Sequence, residues 1–438
     1  MMSSKIKLIS GAIFVLLLII IGWVIWTIKI QPGPKGAELV TELNFWGINP
    51  TNTWINYWTG AIPRFEAQNP GVKVLYRKPV SCGESDIISK LDIAFKGNTA
   101  PDVFEGPIFL LALGAEKNWF EPLDRYIAGW KDKKDIIDQA YEDGVYRGKT
   151  YGVGFSPVLL PIVYRKDYFK EAGLDPERPP ETWEELADCA VKLTKRIGDV
   201  VTRSGFNISS DEYLLLVPFV RQNGGNFLTK DGKPAFNTPE WVEALGYFTD
   251  LVANKKVNII TDIKEVRAGD SFLQGRAAIS QIWSGQLMNL LKNDPSLRDK
   301  IGTINMKRKK VSVWSGMVFP FISSGSEHKD LAWKFVQFIL SPEEMWQRYK
   351  ETRCPVVRKS LKDRYIEDYP IINKVIWEGI PIGEGVAKVP WMPKVLEQIT
   401  RAMQESFHEG KPPAQALNEA TERLLKEIDS DPKQMRVY

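Results

Sequence analysis

The stretch AELVTELNF at residues 37–45, which runs directly into Trp46, begins a regular alternation of strands and helices. The next predicted elements are a helix carrying Trp54, Trp58, Ile62 and Phe65, a strand at Val72–Tyr76, a helix at Asp86–Phe95 and a strand beginning at Pro101–Phe104. Strands that alternate with helices predict an α/β fold with a mostly parallel sheet and helices on its faces. Such sheets bind ligands beyond the carboxyl ends of their strands, where Trp46 and Glu105 are expected.

Helix signals recur further along the chain. Thr182 is a good N-cap, and Glu184 and Glu185 follow it in the first turn of a helix expected at Thr182–Arg196. Three more helices are expected at Pro239–Ala253, Lys329–Leu340 and Ala414–Ile428.

Length and composition limit the classes of protein. The 438 residues are too many for one ordinary hydrophobic core and predict two globular units. The net charge of +4 is weak and the basic residues are scattered, so no nucleic-acid partner is expected. Fifteen Trp is a high number for this length, and Trp suits an apolar surface that is presented to a ligand.

Residues for common catalytic chemistry are scarce. His328 and His408 are the only histidines, and their polar surroundings predict surface positions, so a nucleophilic triad has almost no candidate base. The sequence has no GxSxG elbow, and Gly144–Thr150 departs from the spacing of a phosphate-binding loop. Two well-placed carboxylates that hydrolyse a glycoside remain an alternative.

The three cysteines, Cys82, Cys189 and Cys354, are far apart and form no CxxC pair. No metal and no cofactor is therefore expected. Cys189 continues an apolar stripe of Leu186, Leu193 and Ile197 and is expected in the core. Pairing of Cys82 with Cys354 stays open.

The N-terminus determines the expected location. Lys5 and Lys7 precede an apolar run at Leu8–Ile28, which is long enough to cross a hydrocarbon core of about 30 Å. Tryptophans lie near its far end, and no AxA-like cleavage site follows. The expected arrangement is a cytoplasmic segment at residues 1–7, a transmembrane signal anchor at 8–28, a linker at 29–36 and a body outside the cytoplasm. A cleaved signal peptide is the alternative.

Several motifs occur in a fixed order over nearly everything after residue 36. They are GNTAPDVF (97–104), GKTYG (148–152), VYRKDYFKEAGLDPERPPETWEELADCAVKLT (163–194), QNGGNF (222–227), FLQGRAA (272–278), AWKFVQFIL (332–340) with SPE behind it, and the stretch from Cys354 to Ser360. In this order they resemble family 1 of the bacterial extracellular solute-binding proteins, in particular the maltodextrin type that delivers sugars to ABC importers.

The resemblance implies a two-lobe periplasmic-binding-protein-like fold of type II, with an interdomain cleft. The chain is expected to cross between lobes near Phe155, Ser315 and Lys362. Lobe 1 would then comprise residues 37–156 and 317–362, and lobe 2 residues 157–316 and 363–438. The implied function is binding of a sugar or oligosaccharide without catalysis, by a monomer that passes its ligand to the permease subunits of an ABC transporter. A receptor for a membrane sensor and a carboxylate-based glycosidase are the alternatives.

Candidate ligand contacts follow from the resemblance, position by position. Aromatic rings can stack on the apolar C–H faces of sugars, while polar groups bind the hydroxyls. The candidates are Trp46, Glu105, Glu212, Tyr213, Trp283, Ser284, Trp314 and Trp391. Trp54 and Trp58 lie one helical turn apart and are expected in the core.

One segment departs from the family pattern. The stretch FSPVLLPIV at residues 155–163 is almost wholly apolar, whereas maltodextrin binders carry an acid near Val158. This puts maltodextrin itself in doubt and leaves room for a less polar ligand.

Overall fold

The structure, a computed structural model, describes residues 40–78, 84–211, 213–265 and 269–430. Its strands are β1 (Thr41–Trp46), β2 (Val72–Arg77), β3 (Val103–Pro107), β4 (Val145–Tyr146), β5 (Lys149–Thr150), β6 (Ser156–Leu160), β7 (Ile162–Arg165), β8 (Lys195–Ile197), β9 (Val200–Asn207), β10 (Ala277–Gln281), β11 (Ile301–Ile304) and β12 (Trp314–Ile322).

The helices alternate with these strands. The α-helices are α1 (Asn52–Gln68), α2 (Glu84–Lys96), α3 (Leu110–Glu116), α4 (Asp124–Ala128), α5 (Asp138–Glu142), α6 (Lys166–Glu171), α7 (Trp183–Leu193), α8 (Leu216–Gln222), α9 (Pro239–Thr249), α10 (Ile260–Glu265), α11 (Asp270–Leu273), α12 (Ser284–Asn293), α13 (Lys329–Ile339), α14 (Pro342–Thr352), α15 (Lys362–Asp368), α16 (Pro370–Gly379), α17 (Met392–His408) and α18 (Pro413–Ser430). Short 3₁₀ helices lie at Lys131–Asp135, Tyr213–Leu215, Pro295–Lys300 and Lys359–Leu361, and a π-helical turn at Asp250–Asn254 continues α9.

Two five-stranded sheets organise the chain. The first has the order β2-β1-β3-β12-β6, and the second β11-β7-β10-β9-β8. We call the elements around the first sheet lobe 1 and those around the second lobe 2. The α/β, two-lobe architecture is as predicted.

The expectation of mostly parallel sheets was wrong. β1 pairs in parallel with β2 and β3, and β9 with β10, but β12 is antiparallel to β3 and β6, and β7 is antiparallel to β10 and β11. The added antiparallel strands are those that carry the chain between the lobes. Of these strands, β7 and β12 enter their sheets from the other lobe rather than through a helix crossover of the kind that makes neighbouring strands parallel.

The chain changes lobes at two strand pairs. β6 ends at Leu160 in the first sheet, and after Pro161 β7 begins in the second. The return passage lies between β11 and β12, so that Trp314 pairs with Leu160 at the point where the strands enter lobe 1. Both passages lie a few residues from the positions expected at Phe155 and Ser315.

An aromatic cluster forms the core of lobe 1. Helix α1 buries Trp54, Tyr57, Trp58, Ala61, Ile62 and Phe65 along one face. The ring of Phe45 from β1 lies 4.5 Å from Trp58 and 5.2 Å from Phe335 of α13, between ring centroids. Burial of such large rings supplies much of the stabilisation of a core. As predicted, Trp58 belongs to the core.

A comparable cluster supports lobe 2. Trp183 of α7 contacts Phe219, and Phe219 lies 4.7 Å from Phe248 of α9. The indole nitrogen of Trp183 donates a hydrogen bond to the Gln222 side chain at 2.9 Å. The predicted N-cap of α7 is confirmed, because Thr182 and Glu185 form a reciprocal capping box.

The helix expected at Thr182–Arg196 ends earlier than predicted. The backbone is extended at Thr194, and Lys195–Ile197 forms the edge strand β8 paired with β9. Ile197 is therefore exposed rather than part of a helical stripe, and Cys189 is only half-buried.

No helix in the ranges that the structure describes is both long and apolar enough to span a membrane. The predicted anchor at residues 8–28, the cytoplasmic segment at 1–7 and the linker at 29–36 lie outside those ranges, and so does Cys82.

Candidate functional site

A cleft of about 1640 Å³ is lined by residues of both lobes. Lobe 1 contributes the loop after β1, the start of α1, the end of β3, and β6. Lobe 2 contributes the segment before α8, the start of α12, and one face of α17. Sites for small molecules are commonly about 300–1,000 Å³, so this cleft has room for a large ligand.

Glu105 forms part of the lobe 1 wall. It lies on β3 between β1 and β12, and only 1% of its surface is exposed. Its Oε2 accepts a hydrogen bond of 3.1 Å from the backbone N–H of Ile48, which follows β1. Burial raises the pKa of this carboxyl to about 7, against the opposing effects of the Ile48 N–H, the Trp58 indole and Arg348.

Arg348 of α14 is a fully buried cation behind this wall. It donates hydrogen bonds from Nη1 to Ser156 Oγ at 3.1 Å and from Nη2 to the Pro355 carbonyl at 2.5 Å. Burial lowers the pKa of its guanidinium, and Cys354, Tyr57 and Glu105 oppose that effect. Arg348 thereby fixes Ser156, which lines the cleft, to the turn that carries Cys354.

Aromatic side chains line the lobe 2 side and the crossing strand. Tyr213 meets Trp314 edge to face, with ring centroids 6.5 Å apart and planes at 87°. Trp391 immediately precedes α17 and is buried, whereas Trp283 immediately precedes α12 and stays half-buried. Each of these rings presents an edge or face to the same cavity.

The first turns of α12 bring the lobes together at the base of the cleft. Ser284 and Gln286 line the cavity, and the buried Gln286 Oε1 has no hydrogen-bond partner among the described residues. A Cβ added to Gly285 would lie 3.1 Å from the Cys354 sulfur, so a glycine permits this close approach. Asn289 also donates a hydrogen bond to the Thr352 carbonyl of lobe 1 at 3.2 Å.

Helix α17 presents a polar row to the cleft. Its members recur at helical spacing and include Lys394, Glu397, Thr400, Arg401 and Gln404. Gln404 donates a 2.6 Å hydrogen bond to Asp211, which lines the same cavity. This row supplies charged and amide groups to a cleft that Pro157 and Val158 line with apolar surface.

The structure brings most of the predicted site residues together. Those that line the cleft are Glu105, Tyr213, Trp283, Ser284, Trp314 and Trp391. Glu212 lies outside the described residues.

Trp46 is not in the main cleft. It lines a separate pocket of about 360 Å³, and the Arg77 guanidinium lies 4.6 Å from its ring centroid. Trp46 is the last residue of β1, and its side chain points toward β2 and α2 rather than toward lobe 2.

Sequence reasoning missed several residues of the site. Trp54 was expected only in the core, but it is buried and also lines the cleft. Arg348 comes from a distant part of the chain and no motif marks it, while Cys354 begins the motif at 354–360, which did not indicate a position at the cleft. The row on α17 had a usable signal, since polar residues at spacings of three and four follow Trp391 on an otherwise apolar helix.

Within the described ranges no group of three or more His, Cys, Asp or Glu side chains is placed to hold a metal ion. His408 is exposed and contacts Ser210 Oγ at 3.0 Å, and His328 is half-buried at the start of α13.

Known proteins share much of this sequence and fold. The sn-glycerol-3-phosphate-binding periplasmic protein UgpB of Escherichia coli (strain K12) is 24% identical over 411 residues, covering 84% of this chain and 89% of that protein. An ABC transporter solute-binding protein of Thermotoga lettingae TMO, solved with alpha-D-tagatose, is 25% identical, with a TM-score of 0.76 and coverage of 88% of this chain and 99% of that chain. An ABC substrate-binding protein of Listeria monocytogenes, solved with cycloalternan, shares the fold at 23% identity, with a TM-score of 0.77 and coverage of 89% and 99%.

The sequence also matches a model of a whole protein family. The model described as bacterial extracellular solute-binding protein matches residues 51–346, which include β3, both lobe crossings and the residues around Trp283. The chain therefore belongs to the family of bacterial extracellular solute-binding proteins.

Proposed function

We propose that this protein is the extracytoplasmic substrate-binding protein of an ABC importer, which binds a sugar or oligosaccharide between its lobes and delivers it to the permease. The observation that carries the proposal is the large interlobe cleft, whose lining combines aromatic rings with hydroxyl, amide and carboxyl groups.

The chemistry of the lining suits a polyhydroxylated ligand. Half-buried Trp283 and the edge-to-face pair of Tyr213 and Trp314 offer apolar surfaces to the C–H faces of sugar rings. Glu105, Ser284 and the unpartnered Gln286 oxygen offer hydrogen-bonding groups to hydroxyls. The similar solved structures with alpha-D-tagatose and cycloalternan bound support this ligand class, and the UgpB relative extends it to a small phosphorylated polyol.

The first test is a binding screen on the full chain in detergent micelles. Candidate ligands are alpha-D-tagatose, maltose, mannobiose, cycloalternan and sn-glycerol 3-phosphate, with amino acids and peptides as controls. A ligand that binds only the folded state stabilises it by about 2.7 kcal/mol at 100 times its Kd, which raises the melting temperature. The proposal would be contradicted if only peptides raised the melting temperature, or if no sugar raised it.

Trp283→Ala tests whether the aromatic lining binds the ligand. A stacked Trp in a binding site commonly contributes on the order of 2 kcal/mol, so the variant should bind a sugar hit roughly 30-fold more weakly in calorimetry. Trp377→Ala is the matched control, because Trp377 is also half-buried but lies outside the cleft. Equal losses in both variants would point to a general effect on folding.

Ligand binding without catalysis is part of the same proposal. A glycosidase would need a second carboxyl placed across the scissile bond from Glu105. Incubation of the protein with maltose or mannobiose should give no monosaccharide by chromatography. Release of product, lost in Glu105→Gln, would favour a glycosidase.

We also propose the anchored, monomeric arrangement that the sequence predicts, with changes of lobe close to the predicted boundaries at residues 156, 316 and 362. The apolar run at Leu8–Ile28 is the support for the anchor. Tethering would raise the effective concentration of the binding domain near its permease. The full chain should stay with the membrane pellet after alkaline extraction, and recovery of a shortened soluble protein would indicate cleavage instead.

A further inference from the structure

Among the residues that the structure describes, two buried carboxyls line the cleft, and their environments differ. Glu405 of α17 is surrounded by cations, with Arg401 and Lys411 at 2.9 Å and Arg423 at 3.5 Å. Glu105 is equally inaccessible to solvent, yet no cation of the described residues lies within 4 Å of its oxygens. A buried acid without a counter-ion costs free energy to ionise, so its position at a binding surface indicates a functional role.

The groups around Glu105 are mostly hydrogen-bond donors. From β1 the Ile48 N–H donates to Oε2, and from α1 the Trp58 indole N–H, which has no hydrogen-bond partner of normal geometry, faces the carboxyl. From β2 the buried Tyr76 hydroxyl is close, since a Cβ added to Gly47 would touch both it and Glu105 Oε2, at 3.1 and 3.3 Å. The titratable groups that complete the surroundings are Arg348 of α14 and Cys354, which follows it.

We propose that ligand binding in the cleft is coupled to the protonation state of Glu105, such that the carboxylate accepts a hydrogen bond from a ligand hydroxyl and the protonated form binds more weakly. The inference rests on the proposed function, because it assumes a hydroxyl-bearing ligand. The donors around Glu105 favour an accepting carboxylate. A protonated carboxyl would instead have to donate its proton, and the tyrosine hydroxyl is the neighbouring group that can accept it.

The direction of the pH effect follows from the burial of this carboxyl. Its pKa of about 7 means that a substantial fraction of the ligand-free protein carries a neutral Glu105 near neutrality. If the ionised form binds and the neutral form does not, the apparent affinity falls by about tenfold for each pH unit below that pKa and is constant above it. Binding at pH 7 would release about half a proton per ligand.

The decisive experiment is calorimetric titration of the full chain in detergent micelles from pH 5.5 to 8.5. The probes are alpha-D-tagatose, maltose and mannobiose, which carry no titratable group, so that any pH dependence belongs to the protein. Titrations at pH 7 in two buffers of different ionisation enthalpy count the released protons on the unaltered chain. The expected result is weaker binding at low pH together with proton release.

Two variants make the test specific to this carboxyl. Glu105→Gln keeps the shape of the side chain but cannot ionise, so its affinity should not change with pH. Glu397→Gln removes an exposed acid from α17 in the same cleft and should keep the full pH dependence. Binding that is independent of pH in the unaltered chain, or pH dependence that persists in Glu105→Gln, would overturn the inference while leaving the proposed function intact. Absence of binding of all three sugars at every pH would count against the proposed function itself.

Discussion

Glu105 and Arg348 are two buried charges of opposite sign that stabilise each other without direct contact. Arg348 is held by neutral partners, the Ser156 hydroxyl and the Pro355 carbonyl, while Glu105 is held by a backbone N–H. Burying two charges costs more than a distant attraction returns. Glu105 and Arg348 therefore reduce the stability of lobe 1. Such a loss of stability is common at sites that bind a ligand.

This cost can be measured by comparing unfolding at two pH values. Because the pKa of Glu105 is about 7 in the folded state and near its ordinary value of 4.5 when unfolded, the penalty is absent below pH 4.5. It grows as the pH rises to 7 and is complete above it, where it is on the order of 3 kcal/mol. Glu105→Gln should therefore stabilise the protein at pH 8 much more than at pH 5. Equal effects in urea unfolding at both pH values would show that the carboxyl ionises freely.

Single residues of the site were predictable where a strand end or a helix start marked them. Trp283 and Trp391 directly precede α12 and α17, and Glu105 lies on a motif-bearing strand. Arg348 and Cys354 were not predictable, because their roles depend on contacts with β6, which lies almost two hundred residues earlier in the chain. Trp46 shows the opposite case, since a strand end alone does not decide which way a side chain points.

At the scale of elements, local signals predicted starts better than ends. The capping box of Thr182 and Glu185 placed the first turn of α7, but the apolar periodicity continued to Ile197 although the helix ends at Leu193. The extended segment that follows is held by pairing with β9, and the Arg196 guanidinium donates hydrogen bonds to the Lys255 and Lys256 carbonyls. Such contacts with distant residues override a local helical pattern.

The packing of α7 against β9 depends on a glycine. A Cβ on Gly205 would lie 1.8 Å from the Ala190 carbonyl oxygen, and backbone atoms cannot move aside as a flexible side chain can. Gly205→Ala should destabilise the protein by more than about 3 kcal/mol. Gly246, inside α9, meets nothing within 4 Å, so Gly246→Ala should stabilise by about 0.5–1 kcal/mol through helix propensity. The free energy of unfolding of both variants can be measured with a denaturant. A loss of less than about 1 kcal/mol in Gly205→Ala would mean that α7 can move away from β9.

At the scale of the whole molecule, two strand passages join the lobes, at Pro161 and between Ile304 and Trp314, and the proposed lobe ranges add a third near Lys362. A rotation of one lobe relative to the other would change the backbone dihedral angles of only the few residues in these passages, as is typical of a hinge. A ligand that contacts both lobes favours the closed arrangement by its extra contacts there. Small-angle scattering of the protein should therefore show a smaller radius of gyration with a bound sugar than without it. An unchanged radius at saturating ligand would indicate that the cleft binds without closing.

The position of β12 also has a consequence for the order of events during synthesis. This strand, Trp314–Ile322, lies between β3 and β6, which are made long before it. The ribosome must therefore produce about three-quarters of the polypeptide before the sheet of the N-terminal lobe can close, and pairing between such distant segments is slow. A late closing of the first lobe lengthens the time for which the growing chain lacks that fold, and such a delay suits a protein that has to leave the cytoplasm before it folds.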